Sequence, residues 1–324
     1  MGTVILGTGS CLPEKIVTND DIARIVDTND EWIRTRTGIR TRRVCGQDEQ
    51  TYDLATRAAR QAIAAAGIGV EEIGLIVVAT ISSHTLMPSS ACLVQKELGA
   101  ANAFAYDINA ACSGFLFGID LAHKYVQADH DMKVLVVGAE NLSSRLNWSD
   151  RNTCILFGDG AGAAVIGYRE GTSGYLGANL RSDGSLWELL YMYAPKSSNP
   201  DIVHEDHPGT YIIMEGKEVF KHAVKAMEDA IHGVLAKEGI GLDAVKLLVP
   251  HQANIRILNK LAERLQMPVD DVVINVSEYG NTSAASIPIA LDEAVRAGRI
   301  MKGDMILLCS FGGGFTWGAT LIKW

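Results

Sequence analysis

Nowhere in this sequence do two cysteines stand at the CxxC spacing of a zinc or dithiol site, although there are six: Cys11, Cys45, Cys92, Cys112, Cys154 and Cys309. That usage suits a reducing compartment. No GxSxG elbow occurs, which argues against a serine hydrolase triad. The glycine-rich stretches Gly158 to Gly162 and Phe311 to Phe315 lack the GxGxxG spacing of a dinucleotide loop. Positive charge is also scarce: the net charge is -9, so a general nucleic-acid-binding surface is excluded and only a local basic patch could hold an anionic partner. The opening run MGTVILGTGSCLPEK has neither a basic leader nor a long apolar segment, and Gly2 is not set in a myristoylation pattern. The expectation is a cytoplasmic chain with no membrane insertion.

What the chain does have is enough apolar material for a large core. Of its 324 residues 48% are hydrophobic and 21% charged, and 32 glycines against 8 prolines suggest tight turns and close backbone approaches. Apolar runs over Val4–Leu6, Leu75–Ala79, Val134–Val137, Cys154–Phe157, Ala163–Ile166, Leu247–Val249, Val272–Val276 and Met305–Leu308 read as strands, some buried on both faces because they do not alternate. Helical patterns occupy Asp53–Ala66, Ser89–Leu98, Ser113–Ala128, Lys217–Lys237, Ile255–Leu265 and Ala284–Ala297. The class is mixed α/β. An internal echo adds detail: Leu75-Ile-Val-Val resembles Leu247-Leu-Val-Pro and Val134-Leu-Val-Val resembles Ile306-Leu-Leu-Cys, both at an offset of 172 residues (247 − 75 and 306 − 134). Duplicated halves meeting near Gly167–Gly177 would explain it, as would chance likeness between apolar strands. Trp187–Thr210, broken by Pro195, Pro200 and Pro208, reads as a surface excursion beside a substrate entrance.

Cys112 is the leading nucleophile candidate. It follows Ala110-Ala111 and precedes Ser113-Gly114 where a helix begins, a position that favours a thiolate; its bland alternative is a small buried hydrophobe. The other cysteines read as packing residues. His251, after the strand-like Leu247–Pro250, sits where open α/β sheets collect functional groups, or else merely bonds a loop. Asn281 beside Gly280 is either a helix cap or an amide donor to a developing enolate. The glycines of Phe311–Phe315 could present N–H groups as an oxyanion hole or form only a tight turn. His204 and His207 with Glu205 and Asp206 match no strong metal pattern and read as a solvated loop. Lys217, Lys221 and Lys225 recur every four residues along one helix face, and Arg256 opens the helix after His251; a stripe of this kind solvates a surface or steers an acidic carrier.

Several motifs in order are similar to one family: Trp32-Ile-Arg-Thr-Arg-Thr-Gly-Ile-Arg40, Asp107-Ile-Asn-Ala-Ala-Cys112-Ser-Gly-Phe115, Phe157-Gly-Asp-Gly-Ala-Gly162, Pro250-His251-Gln-Ala-Asn254, Gly280-Asn281-Thr-Ser283 and Phe311-Gly-Gly-Gly-Phe-Thr-Trp-Gly318. Nearly end to end, the chain resembles the β-ketoacyl-acyl-carrier-protein synthase III family, the initiating condensing enzymes of type II fatty-acid synthesis. The resemblance implies a thiolase-like fold of two duplicated α/β halves in α-β-α-β-α layers, residues 1–170 carrying Cys112 and 171–324 carrying His251 and Asn281. It implies a homodimer and a ping-pong decarboxylative Claisen condensation: an acyl-CoA acylates Cys112, malonyl-acyl-carrier protein then enters, and β-ketoacyl-acyl-carrier protein, CoA and carbon dioxide leave. No metal and no redox cofactor is implied, CoA thioester being a substrate. The N–H groups of Cys112 and Gly313 would form the oxyanion hole. Trp32, Arg36, Arg151, Gly216 and Asn254 would surround CoA, with Lys221 and Arg256 docking the carrier. Glu263 stands where a familiar member has lysine, so carrier preference could differ.

By the same resemblance Leu142 and Phe157 would line the acyl pocket, and Met87 would reach its far end across a dimer interface. Acetyl-CoA is the default primer, with short linear or branched acyl groups also open to a flexible methionine. Rival readings are a condensing enzyme of secondary metabolism, a biosynthetic thiolase, which would use two cysteines, an HMG-CoA-synthase-like enzyme, which needs an acid near Cys112 that the sequence does not identify, and a noncatalytic acyl-binding scaffold.

Overall fold

The computed structural model describes residues 2–171, 174–199, 201, 207 and 209–324. The strands of the first part of the chain are β1 (Thr3–Cys11), β2 (Ile16–Thr18), β3 (Thr41–Arg43), β4 (Leu75–Ala79), β5 (Phe104–Ile108), β6 (Val134–Glu140) and β7 (Gly160–Tyr168). Those of the second are β8 (Tyr175–Ser182), β9 (Leu190–Met192), β10 (Ile212–Met214), β11 (Leu247–Pro250), β12 (Met305–Gly312) and β13 (Thr316–Lys323). Helices α1 (Asn19–Ala23), α2 (Asp30–Thr37), α3 (Thr51–Ala66), α4 (Ser90–Leu98), α5 (Gly114–Ala128) and α6 (Arg151–Cys154) fall in the first part. The second holds α7 (Gly216–Glu238), α8 (Ile255–Leu265), α9 (Val276–Tyr279) and α10 (Ser286–Arg296).

Two main sheets follow from these elements, one ordered β1-β7-β6-β4-β5 and the other β11-β12-β13-β8. Their strands are apolar without alternation because both faces are covered. Leu75 and Val77 of β4, with Val134 and Val136 of β6, face a central core shared with Leu247, Val249, Ile306, Leu308 and the helices α5 and α10. The intervening Ile76, Val78, Leu135 and Val137 pack against α3 and α4. Leu248, Leu307 and Cys309 pack against α7 and α8 in the same way. The result is five layers, α-β-α-β-α, with α5 and α10 in the middle. Each fully buried Leu, Ile or Val contributes about 1.5–3 kcal/mol.

The 172-residue echo is structural. Leu75 of β4 is registered with Val134 of β6, and Leu247 of β11 with Ile306 of β12, both pairs parallel. The same offset carries Ala111 onto Ser283, both in left-handed backbone (φ 47° and 50°), and Gly114, the first residue of α5, onto Ser286, the first of α10.

Two of the apolar runs are not strands. Cys154–Phe157 finishes α6 and turns, touching its neighbour through the single bridge Phe157↔Asn281; Val272 makes one bridge to Leu248 before the chain enters α9. Both runs are largely buried, and burial alone does not separate a short strand from a buried turn. Gly158 and Asp159 lead into β7, whose first residues are Gly160–Gly162. The Trp187–Thr210 excursion is rooted by β9 and β10, which pair antiparallel. Within it, the His207 ring bonds the carbonyl of Ala194 at 2.8 Å, whereas His204, Glu205 and Asp206 lie outside the described residues. Among the described residues no helix is long and apolar enough to cross a membrane.

The halves meet too closely for a side chain at Gly138 of β6, where a Cβ would stand 2.2 Å from the backbone oxygen of Ala284. Gly138→Ala should therefore destabilise the fold by about 1–3 kcal/mol, read as a lower urea midpoint. Gly46→Ala, whose Cβ would meet nothing within 4 Å, should stay within about 0.5 kcal/mol of the parent.

Candidate active site

Cys112 lies in a one-turn 3-10 segment, Ala111–Ser113, between the end of β5 and the start of α5. The turn is fastened to the β12–β13 hairpin: Ser310 donates to the Cys112 carbonyl (2.9 Å), Thr316 Oγ1 to that of Ala110 (2.7 Å), and Ser113 to that of Thr316 (3.0 Å). Gly312 must lack a side chain here, because a Cβ would lie 2.6 Å from the Cys112 nitrogen. The hairpin thus brings Gly313 against the cysteine. Burial pushes the Cys112 thiol up to about 11; the Ser283 hydroxyl and the backbone N–H groups of Cys112 and Gly313 pull the other way, while Glu140 adds to the rise. The sequence suggested a thiolate favoured by the helix start. Desolvation wins instead, and the resting sulfur is protonated.

His251 follows β11 and is held by its own N–H, which donates to the Cys309 carbonyl at 2.8 Å. Its Nδ1 is 2.6 Å from Ser286 Oγ. Burial drives its basicity down to about 3, so the ring is neutral. Gln252 clamps the loop, its amide nitrogen donating to the carbonyls of Pro250 (2.8 Å) and Val273 (2.9 Å) while its oxygen accepts from the N–H groups of Asn275 and Val276.

Asn281 is tied by backbone bonds to Leu156 and Gly158, and its Oδ1 accepts the Ser283 N–H at 2.8 Å. With the oxygen so occupied, the NH₂ group is the part left for the cavity. Asn109, 172 residues earlier, accepts the Ala111 N–H in the same way at 3.2 Å.

These groups line one cavity of about 1080 Å³ that contains Cys112, His251, Asn281, Ser283 and Gly313. Toward its outer part stand Trp32, Arg36, Gly216, Lys221, Asn254 and Arg256, and Phe157 lies deep among its walls. The β9–β10 ribbon forms another wall through Leu190, Met192, Ile212 and Met214. Arg36 and Arg151 both place their guanidinium carbons against the Trp32 ring, 4.5 and 4.6 Å from its centroid. Arg256 lies 5.6 Å from the Phe220 ring centroid, and Lys221 pairs with Glu218 at 2.6 Å. Leu142 is fully buried in the adjoining core and does not line the cavity; Met87 is 87% exposed on the surface.

Sequence reasoning passed over three groups. Glu140, at the end of β6, is fully buried and pushed up to about 7 by that burial, although Thr80 Oγ1, Ile81 N–H and Ser82 Oγ donate to it. Ser283 Oγ sits beside both the thiol and the Glu140 carboxyl without a well-formed hydrogen bond to either. Ser286 holds His251. The 172-residue offset, extended past the strands, is the signal that would have singled out Ser283 and Ser286.

Residues 106–184 match the family profile described as 3-oxoacyl-[acyl-carrier-protein] synthase III, and residues 235–324 match that of its C-terminal part. The β-ketoacyl-[acyl-carrier-protein] synthase III of Desulfotalea psychrophila is 58% identical over 324 residues, covering all of both chains. The crystal structure of 3-oxoacyl-[acyl-carrier-protein] synthase III from Aquifex aeolicus superposes with a TM-score of 0.93 at 47% identity, again over 100% of each chain. The priming β-ketosynthase of a polyketide pathway superposes at 0.92 with 36% identity, covering 99% of this chain and 96% of its own. With the profile hits falling on both the cysteine turn and the segments bearing His251 and Asn281, and with full-length identity of this order, the chain belongs to the β-ketoacyl-[acyl-carrier-protein] synthase III family.

Proposed function

We propose that the chain condenses a short acyl-CoA with malonyl-acyl-carrier protein by a decarboxylative Claisen reaction, through an acyl group carried on Cys112. The observation that carries this reading is the convergence, in one cavity, of a buried thiol with two neutral hydrogen-bond donors, His251 and Asn281. The Cys112 sulfur attacks the acyl-CoA carbonyl, whose oxygen draws on the N–H groups of Cys112 and Gly313; CoA departs with the thiol's proton. Malonyl thioester then loses carbon dioxide, and its enolate oxygen is held by His251 Nε2 and Asn281 Nδ2 while the carbon attacks the acyl-enzyme carbonyl; the C–S bond to Cys112 breaks, β-ketoacyl-carrier leaves, and the Cys112 thiolate takes a proton from solvent. Neutral donors suit this step, because a buried imidazolium would itself be costly. The Trp32 ring with Arg36 and Arg151 supplies a planar surface and positive charge for an adenine nucleotide, Gly216 and Asn254 flank the pantetheine path, and Lys221 with Arg256 meets the acidic carrier.

The functional unit in this reading is a homodimer. Its support is an edge strand, β5, that exposes Phe104 (46%), together with the exposed Leu86 and Met87 (85% and 87%), an apolar surface that a second copy would cover. Met87 would then close the far end of the partner's acyl pocket, near the end that Phe157 lines, with Leu142 packed in the core behind it. We divide the chain at residues 170 and 171, since each main sheet is drawn from one side of that point. A polyketide-priming role is the second reading, favoured by the backbone likeness to the priming β-ketosynthase; the higher identity to the fatty-acid enzymes places it second.

A condensation assay with malonyl-acyl-carrier protein and acetyl-, butyryl-, isobutyryl- and octanoyl-CoA tests the reading. β-Ketoacyl-carrier product should form and vanish in Cys112→Ala. His251→Ala and Asn281→Ala should each slow condensation by roughly 10²–10³-fold while acylation of Cys112 by labelled acyl-CoA changes only a few-fold. Equal loss of both half-reactions would refute the assigned donors.

Because the thiol is held near 11, its thiolate fraction rises about tenfold per pH unit across the neutral range. Iodoacetamide labelling of Cys112, followed by mass spectrometry, should climb through pH 6–9 without a plateau. Glu140, ionising near 7, adds negative charge that raises the thiol further, which makes the climb shallower about neutrality and pushes any plateau to still higher pH. A plateau below pH 8 would mean that the helix start outweighs burial.

Met87→Phe should narrow the range of acyl-CoA primers accepted, with the longer ones lost first. An unchanged specificity profile would remove Met87 from the acyl pocket.

A further inference from the structure

We propose that Ser286 is a positioning residue: its hydroxyl donates to His251 Nδ1 and thereby keeps the imidazole proton on Nε2, the atom turned toward the cavity. The proposal rests on the reading of His251 as a donor to the enolate, but its own content is the tautomer.

Ser286 and His251 are 2% and 3% exposed, so water does not supply missing partners. Ser286 Oγ has one proton and two lone pairs. One lone pair takes the Gln252 N–H at 3.3 Å, and Nδ1 of His251 stands 2.6 Å away. If Nδ1 carried the ring proton it would fill the second lone pair, and the hydroxyl proton would be left without an acceptor, since no other bond of that oxygen occurs among the described residues. If the hydroxyl donates to Nδ1, the hydroxyl proton and Nδ1 are both paired and Nε2 bears the ring proton. A buried hydroxyl left unpaired biases the choice by roughly ten- to a hundredfold. Burial already removes the doubly protonated ring, so the position of the single proton is the one freedom that remains.

The duplicated frame supports the assignment independently. At the 172-residue offset, Ser286 corresponds to Gly114 and His251 to Ala79. In that first copy the two positions are jammed together: a Cβ on Gly114 would lie 2.8 Å from the Ala79 Cβ. The second copy has opened the same contact and filled it with a hydroxyl against an imidazole. Gln252, clamped on both sides of its amide, fixes the N–H that completes the arrangement.

The test is nitrogen NMR of ¹⁵N-histidine-labelled full-length protein at pH 7, with His251→Ala used to assign the signal, beside separate measurements of Cys112 acylation and of condensation. The wild-type ring should show its proton on Nε2. Ser286→Ala should move a large part of the population to Nδ1–H and lower the condensation kcat at least tenfold, with the rate of Cys112 acylation and the KM for acyl-CoA within about twofold. Ser286→Thr, which keeps the hydroxyl, should restore Nε2–H. A wild-type ring protonated on Nδ1 overturns the proposal, whether or not the alanine variant folds. So does Ser286→Ala retaining a full Nε2–H population. If Ser286→Ala shifts the proton but neither it nor His251→Ala slows condensation, the tautomer assignment holds and the donor role of His251 falls.

Discussion

Two left-handed residues, Ala111 and Ser283, must sit back to back in the seam between the sheets, and the site is built around that constraint. Holding a non-glycine residue at positive φ costs of order 1–3 kcal/mol, so surrounding contacts have to overdetermine each turn. They do so by subtraction as well as by bonding. Gly138 and Gly312 have no room for a Cβ because the Ala284 and Cys112 turns press on them, and the Ser310 and Thr316 hydroxyls tie down the carbonyls that the Cys112 turn leaves exposed. A side chain at either glycine would push a turn outward and separate the sulfur from His251 and Asn281, with which it shares the cavity.

The same close packing sets the electrostatics. Every titratable group at the reacting centre is moved toward its neutral form: the Cys112 thiol up, the Glu140 carboxyl up, the His251 imidazole down, with burial the leading cause each time. Charge is held outside, on Arg36, Lys217, Lys221 and Arg256 along the outer wall. An outer wall of this charge attracts anionic groups in general, while a buried interior has a low dielectric in which neutral N–H donors interact strongly with negative charge. A charged histidine in the interior would reverse this division and would have to be desolvated at a cost of several kcal/mol.

Much of this was legible in the sequence, and the misses share a cause. The strand at Leu75–Ala79 and the helix at Ile255–Leu265 run between the residues that their patterns marked, because apolar runs of strand length and strong helical periodicity are unambiguous. Cys112, His251, Asn281 and Gly313 were legible because each ends a strand or begins a helix beside small residues, and all four reach the cavity. Cys154–Phe157 and Val272–Val276 misled because an apolar run records burial and not its geometry. The protonation state of Cys112 misled for a related reason: a helix start is visible in one dimension, whereas the depth that outweighs it comes from segments far apart in sequence. Glu140 was invisible because its neighbours come from stretches far from it in sequence, Thr80 and Ser82 from one and Ser283 from another.

The duplicated frame also shows how asymmetric chemistry arises from nearly symmetric parts. Asn109 and Asn281 each accept the N–H of the left-handed residue two positions on. From there the halves diverge: Cys112 stands where the other half has Ala284, Gly114 where it has Ser286, and Ala79 where it has His251. One half keeps the thiol and gives up side chains around it, so the sulfur is approached by backbone N–H groups. The other gives up the thiol and gains an imidazole with a hydroxyl behind it. Neither half alone lines the cavity, and the tight seam that makes Gly138 obligatory is what brings Cys112 of one half to His251 and Asn281 of the other.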